Sequence, residues 1–242
     1  MKESLYYCVA IIVLSVILVG AQVFIIYQHI RKMSYDSKPF IRNNPAVRLR
    51  MLFIGDSTAV GTGARSNTQS VAGYFGHDYP AAQIDNNSYN GRKLHQMACQ
   101  FPTKTKFQYD LVVAQIGAND IMQFTPFNSI KRDIAAIVEE AKKIGRHVVI
   151  LHSGNVGLAP IFIWPFDWIM TERSKVVRRI YMKEAEAHGV LYVDLFTERS
   201  NDLFLKDISK YYCPDHLHPS GDGYRWWYER IRATLNDAGV VL

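Results

Sequence analysis

Ser57, in the stretch IGDSTAVGTG, stands between an apolar run and a helix-like one, and the turn-rich stretch CPDHLHPSG near the end of the chain brings together Asp215, His216 and His218. A serine hydroxyl is a poor nucleophile until an adjacent base takes its proton. An imidazole steadied by a carboxylate is a well-suited base. Two further stretches, NNSYNGRK with Gly91 and GAND with Asn119, add donors for the negative oxygen that acyl transfer creates. The backbone N–H groups of Ser57 and Gly91 and the side-chain amide of Asn119 could converge on that oxygen, each such donor being worth about 2.7–4 kcal/mol in the transition state.

Taken singly, these stretches are weak signals. A Gly-Asp-Ser tripeptide is mostly an ordinary turn, with the glycine supplying a positive φ and the aspartate or serine capping a helix. GAND reads equally well as a tight turn. Asp56 and Asp120 are expected to hydrogen-bond loop backbone. The stretch GTGARS has Ser66 where a dinucleotide fingerprint needs its third glycine, and no strand immediately precedes Gly61. A metal site built from Asp215, His216 and His218 has only Asp56 and Asp120 to draw on in the other loops, so no metal and no cofactor is expected.

The elements that must position these groups follow from hydrophobic periodicity. Short apolar runs rich in β-branched residues recur at 48–55, 81–85, 109–117, 147–154 and 189–196. Between them lie helical spacings, clearest at 128–144, where Ile130, Ile134, Ile137, Val138 and Ala141 repeat at threes and fours. Strands alternating with helices imply a parallel sheet covered on both faces. Ligands of such sheets bind outside the carboxyl ends of the strands. Ser57, Gly91 and Asn119 all fall in loops that follow predicted strands, and His218 lies beyond the last one.

Together the blocks resemble the SGNH, or GDSL, hydrolase family: Ser57 in IGDS, Gly91 in NGR, Asn119 in GAND, and Asp215 with His218 in DHLHP occur in that order over roughly 48–236. The resemblance implies a flavodoxin-like three-layer α/β/α sandwich on a five-stranded parallel sheet. It also implies a metal-free serine esterase, lipase, thioesterase or acyl-carbohydrate deacetylase. There is no G-x-S-x-G, so the α/β-hydrolase elbow is not the pattern. Asp215 and His218 are three apart, and a turn brings such a pair together, so His218 is expected as base and Asp215 as its orienter. His216 adjoins Asp215, and sequence neighbours tend to point apart; it is expected as a flanking loop residue. The same site would serve an acyltransferase, and a catalytically silent, membrane-anchored binding module is the reading from another functional class.

A chain of 242 residues supports one sizeable core. Residues 5–27 form 23 residues without formal charge, long enough for a membrane helix across roughly 30 Å of hydrocarbon. The expected organisation is an anchor over 1–30, a basic juxtamembrane linker over 31–47 and the hydrolase domain over 48–242. A signal peptide cleaved after Val19-Gly20-Ala21 is the alternative for the first segment. Of the formal net charge of +6, most lies at 31–50, where Arg31, Lys32, Lys38, Arg42, Arg48 and Arg50 face only Asp36. That placement suits anionic lipid headgroups and argues against nucleic acid as a partner. The expected location is therefore a single-pass membrane protein, the flanking charge favouring a cytoplasmic catalytic domain. Three cysteines make no disulfide framework. The substrate is expected to be a small acylated or lipid-like ester. Trp164 and Phe166, in LAPIFIWPFDWIM, are expected as an acyl-binding wall or membrane-leaning flap, with core packing or a helix entry as the simpler account. Arg92 is expected to meet an anionic headgroup, with solvated surface charge as the simpler account.

Overall fold

The computed structural model describes residues 37–44, 47, 49–102, 105 and 107–242, with the scattered positions 6, 7, 13, 14, 20, 24, 28 and 36. The chain divides into two units, 1–36 and 37–242, and the second carries the sheet and the site.

Five parallel strands run β1 (Arg50–Gly55), β2 (Gln83–Ser88), β3 (Tyr109–Gln115), β4 (Gly145–Leu151) and β5 (Leu191–Tyr192), in the order β2-β1-β3-β4-β5. The long helices are α2 (Val71–Asp78), α5 (Phe127–Ile144), α6 (Phe166–His188) and α9 (Gly221–Asp237). Shorter ones are α1 (Ser57–Val60), α3 (Leu94–Cys99), α4 (Ala118–Met122), α7 (Leu203–Lys206) and α8 (Ile208–Tyr211). The expected doubly covered parallel sheet is present, and the reason is visible in single strands. Leu52 and Ile54 of β1 face one core with α3, α5 and α6, whereas Met51 and Phe53 face the other with α2 and α9. Val112 and Ala114 of β3 repeat the first choice, Leu111 and Val113 the second. A strand buried on both sides has no polar face to alternate with, so it reads as a continuous apolar run.

Helix α5 presents Ile130, Ile134, Ile137, Val138 and Ala141 to the sheet at the predicted spacing. Two strand limits differ from expectation. Strand β2 continues through Asn86 and Ser88, which are buried, because Asn86 Nδ2 donates to Ala59 O at 3.2 Å and the pairing with β1 runs on to Gly55 opposite Ser88. Strand β5 is shorter than expected: Val193 N still donates to Ile150 O at 3.0 Å, and the chain then leaves the edge toward the site.

The expectation of a single-pass membrane protein is corrected. Among the described residues no helix is long and apolar enough to cross a membrane. The longest, α6, sets Glu172, Arg173, Lys175, Arg178, Arg179 and Lys183 along successive turns, which hydrocarbon would not accept. Most of the run at 5–27, and Arg31 and Lys32 of the basic segment, lie outside the described residues.

Candidate active site

Strand β1 ends in the centre of the sheet with Gly55, whose backbone passes so close to β3 that an added Cβ would lie 1.9 Å from Gln115 O. Only glycine fits there. Asp56 then caps α1: its Oδ1 accepts from Thr58 N at 2.9 Å and Thr58 Oγ1 at 2.7 Å, and its Oδ2 accepts from Gly117 N at 3.3 Å. Burial raises the Asp56 pKa, and these donors to its carboxylate oppose the rise. The cap leaves Ser57 as the first residue of α1, where its N–H has no carbonyl of the helix to meet.

The loop from 212 to 219 closes on itself through Cys213 N to His218 O and His216 N to Cys213 O, both 3.0 Å. Asp215 Oδ1 accepts from Leu217 N and His218 N, each at 2.8 Å, which is the local aspartate turn that a spacing of three allows. Its Oδ2 lies 2.6 Å from His218 Nδ1, and His218 Nε2 lies 2.9 Å from Ser57 Oγ. Ser57 and His218 are 161 positions apart, and both are buried. Burial alone would raise the Asp215 pKa, but the hydrogen bond and charge of His218, with further donors from Cys213 and the backbone, hold it down at about 2.

Asn119 lies in the first turn of α4 and is buried; its Nδ2 donates to Arg92 O at 3.1 Å. The GAND and NGR blocks are thereby tied to each other. Gly117 holds the turn before α4 at φ 127°, in space where a Cβ would press on Tyr181 Oη. Asp120 accepts from Leu94 N at 3.0 Å, the backbone role expected of it, and burial raises its pKa. Gly91 has φ 76°, and its loop is anchored by Thr62 Oγ1 donating to Asn90 Oδ1 at 2.7 Å.

Arg92 presents no charge to solvent: its side chain is 1 % exposed, donates from Nη1 to Asn87 O at 2.7 Å and lies 4.5 Å from the centre of the Tyr89 ring. Burial lowers its pKa. His216 is exposed at φ 58°, as a flanking residue of the loop. Trp164 and Phe166 are 81 % and 52 % exposed and are absent from the walls of the pocket beside Ser57. That pocket, of about 70 Å³, is bounded by Ser57 and His218 with Met122, Val156, Phe204 and Trp226 among its walls. Among the described residues no group of three His, Cys, Asp or Glu side chains is placed to hold a metal ion.

Residues 53–226 match the GDSL-like Lipase/Acylhydrolase family. The chain belongs to that family. Its fold is shared by solved structures, among them the following three. An α/β-hydrolase enzyme from the metagenome of Lake Arreo is 16 % identical, with a TM-score of 0.61 over 79 % of this chain and 96 % of the other. The lipase/acylhydrolase from Enterococcus faecalis is 16 % identical, with a TM-score of 0.59 over 78 % and 96 %. A catalytic mutant of an acetylxylan esterase from Geobacillus stearothermophilus is 19 % identical, with a TM-score of 0.57 over 80 % and 96 %. No curated protein sequence matches the chain. This GDSL-family hydrolase keeps one residue at its site that sequence spacing did not single out: Cys213 Sγ donates to Asp215 Oδ1 at 3.0 Å. A cysteine two residues before the aspartate was the available signal, since the same turn that folds Leu217 N–H back onto the carboxylate brings that side chain within reach.

Proposed function

We propose that the protein hydrolyses carboxylic esters with Ser57 as nucleophile, His218 as general base and Asp215 as the carboxylate that orients it. The observation that carries this reading is the unbroken contact from Ser57 Oγ through His218 to Asp215, at 2.9 and 2.6 Å. Such spacing is within hydrogen-bond reach of proton transfer. As Ser57 Oγ attacks the ester carbonyl, its proton passes to His218 Nε2, while Nδ1–H stays donated to Asp215. The carbonyl oxygen, now negative, is met by the N–H groups of Ser57 and Gly91 and by Asn119 Nδ2, whose amide has a second hydrogen besides the one given to Arg92 O. His218 hands the proton to the departing alcohol, leaving an acyl group on Ser57. Water then loses a proton to His218 as it attacks that acyl group, and the released acid frees the serine. The similarity to an esterase and a lipase/acylhydrolase supports small acylated substrates.

Labelling by a fluorophosphonate probe and turnover of p-nitrophenyl acetate test this. Both should vanish in Ser57→Ala, and chelators should leave the wild-type rate unchanged. Labelling that persists in Ser57→Ala, or activity lost to chelators, would defeat the assignment.

A further inference from the structure

We infer that the pocket beside Ser57 accepts only short acyl groups, of two to four carbons, so that the substrates are esters of small carboxylic acids rather than of fatty acids. This rests on the reading of Ser57 as the nucleophile and adds the identity of what it carries. The pocket holds about 70 Å³. An apolar cavity of about 150 Å³ is known to hold benzene, with its six carbons. By that measure the space beside Ser57 takes roughly three carbons.

The walls explain why it stops there. Met122 of α4 stands on one side, Val156 and Ala159 of the turn after β4 continue the wall, and Phe204 and Trp226 are further lining residues. Phe204 is buried and braced by Tyr211 in a stack at 5.0 Å, by Tyr212 edge-on at 5.4 Å and by Trp226 edge-on at 5.6 Å. A ring held by three others does not swing away to admit a longer chain. Two polar side chains of the lining are turned to the protein: Asn155 donates to Thr197 O and accepts from Thr171 Oγ1, and Asp202 caps α7 through Leu205 N, while Ser153 adds a hydroxyl to the lining. The rest of the wall offered to the acyl group is mostly apolar. Ile163, Trp164, Phe166 and Trp168, which could have extended an apolar wall, are exposed to solvent and contribute nothing to the lining.

A pocket that buries an acyl chain along its length gains about fourfold in kcat/KM for each methylene. This one should show no such climb. The experiment measures kcat/KM of the full chain on p-nitrophenyl esters from two to ten carbons, for wild type, Ser57→Ala, Met122→Ala and Trp226→Ala. The expected result is a maximum at two to four carbons, a fall of tenfold or more by eight, and no turnover in Ser57→Ala. Met122→Ala or Trp226→Ala should move the maximum toward longer chains; two variants on different walls guard against the failure of one to fold. A serine-dependent rate that rises through eight or ten carbons would overturn the short-acyl inference while leaving the nucleophile standing. Hydrolysis that survives Ser57→Ala, or its absence with every ester, would overturn both.

Discussion

Two buried histidines occupy this molecule in opposite ways. His218, in the loop before α9, is 5 % exposed and has both ring nitrogens engaged, one by Asp215 and one by Ser57. His152, immediately after β4, is 1 % exposed, and neither nitrogen has a hydrogen-bond partner among the described residues. Its ring instead lies 5.3 Å from Tyr181, edge-on, and 6.1 Å from Tyr192, stacked. Burial pushes the His152 pKa down to about 4, outweighing the nearby Asp194 carboxylate. Both rings are buried, so burial is not what distinguishes the proposed base from packing material. A donor and an acceptor placed at opposite edges of the ring do.

That contrast can be broken most severely at His218. Replacement of His218 by Gln, or of Ser57 by Ala, should cost on the order of 10⁶ in kcat, whereas His152→Phe should leave kcat/KM for p-nitrophenyl acetate unchanged. A comparable loss in His152→Phe would erase the distinction. Asp215→Asn keeps the shape of the turn but takes away the charge that holds the ring, and should lower kcat about 10⁴-fold. Asn119→Ala should lower it about 10²–10³-fold, since it removes the proposed side-chain donor to the oxyanion, together with the bond that ties the loop of Gly91 to α4 through Arg92 O. The next effect belongs to His152 and is one of stability. Its folded pKa lies below the unfolded value of about 6.5, so the unfolded chain binds the proton first. The stability present above pH 6.5 should be lost as pH falls toward 4, by up to about 3 kcal/mol. His152→Phe should flatten that part of a urea-unfolding profile. The smallest change is Cys213→Ala, which removes one donor from Asp215 Oδ1 and lets its pKa climb toward the ordinary carboxylate range. A carboxylate with a depressed pKa contributes stability that disappears as pH falls through the folded value. The unfolding free energy of Cys213→Ala in urea should therefore lie below that of wild type at pH 7, by roughly 1 kcal/mol, the gap should close as pH falls toward 2, and Cys213→Ser should restore the wild-type profile.

The contacts among the proposed site residues were more legible in the sequence than the surfaces around them. Ser57, Asn119, Asp215 and His218 announce themselves because turn chemistry confines the residue types: Gly55 where β1 grazes β3, an aspartate cap before Ser57, and an aspartate whose side chain reaches two and three residues onward. Strand limits were less plain where polar residues point inward. Asn86 and Ser88 look like loop residues until Ala59 O supplies a partner for the Asn86 amide. Arg92 reads as a surface charge, but Asn87 O and the Tyr89 ring lie within reach of its long side chain, and no local pattern announces such a fit. The stretch at 158–170 follows the core-packing account only at its start, and Trp164 and Phe166 form no acyl-binding wall beside Ser57. Leu158 and Ala159 are buried, whereas Ile163, Trp164, Phe166 and Trp168 face solvent. Hydropathy weighs those residues alike, because it counts apolar area and not the direction in which a turn sends it.

The strand order β2-β1-β3-β4-β5 sends the chain out from β1 to one edge and then back across to the other. One outcome is that the pocket beside Ser57 is assembled from stretches far apart in the chain: Met122 of α4, Val156 and Ala159 of the turn after β4, Leu195 and Phe204, and then Leu217 and Pro219 of the loop before α9 with Trp226 of α9 itself. The proposed base and part of its surrounding wall therefore ride on one segment, and reshaping the wall there also acts on the hold on His218.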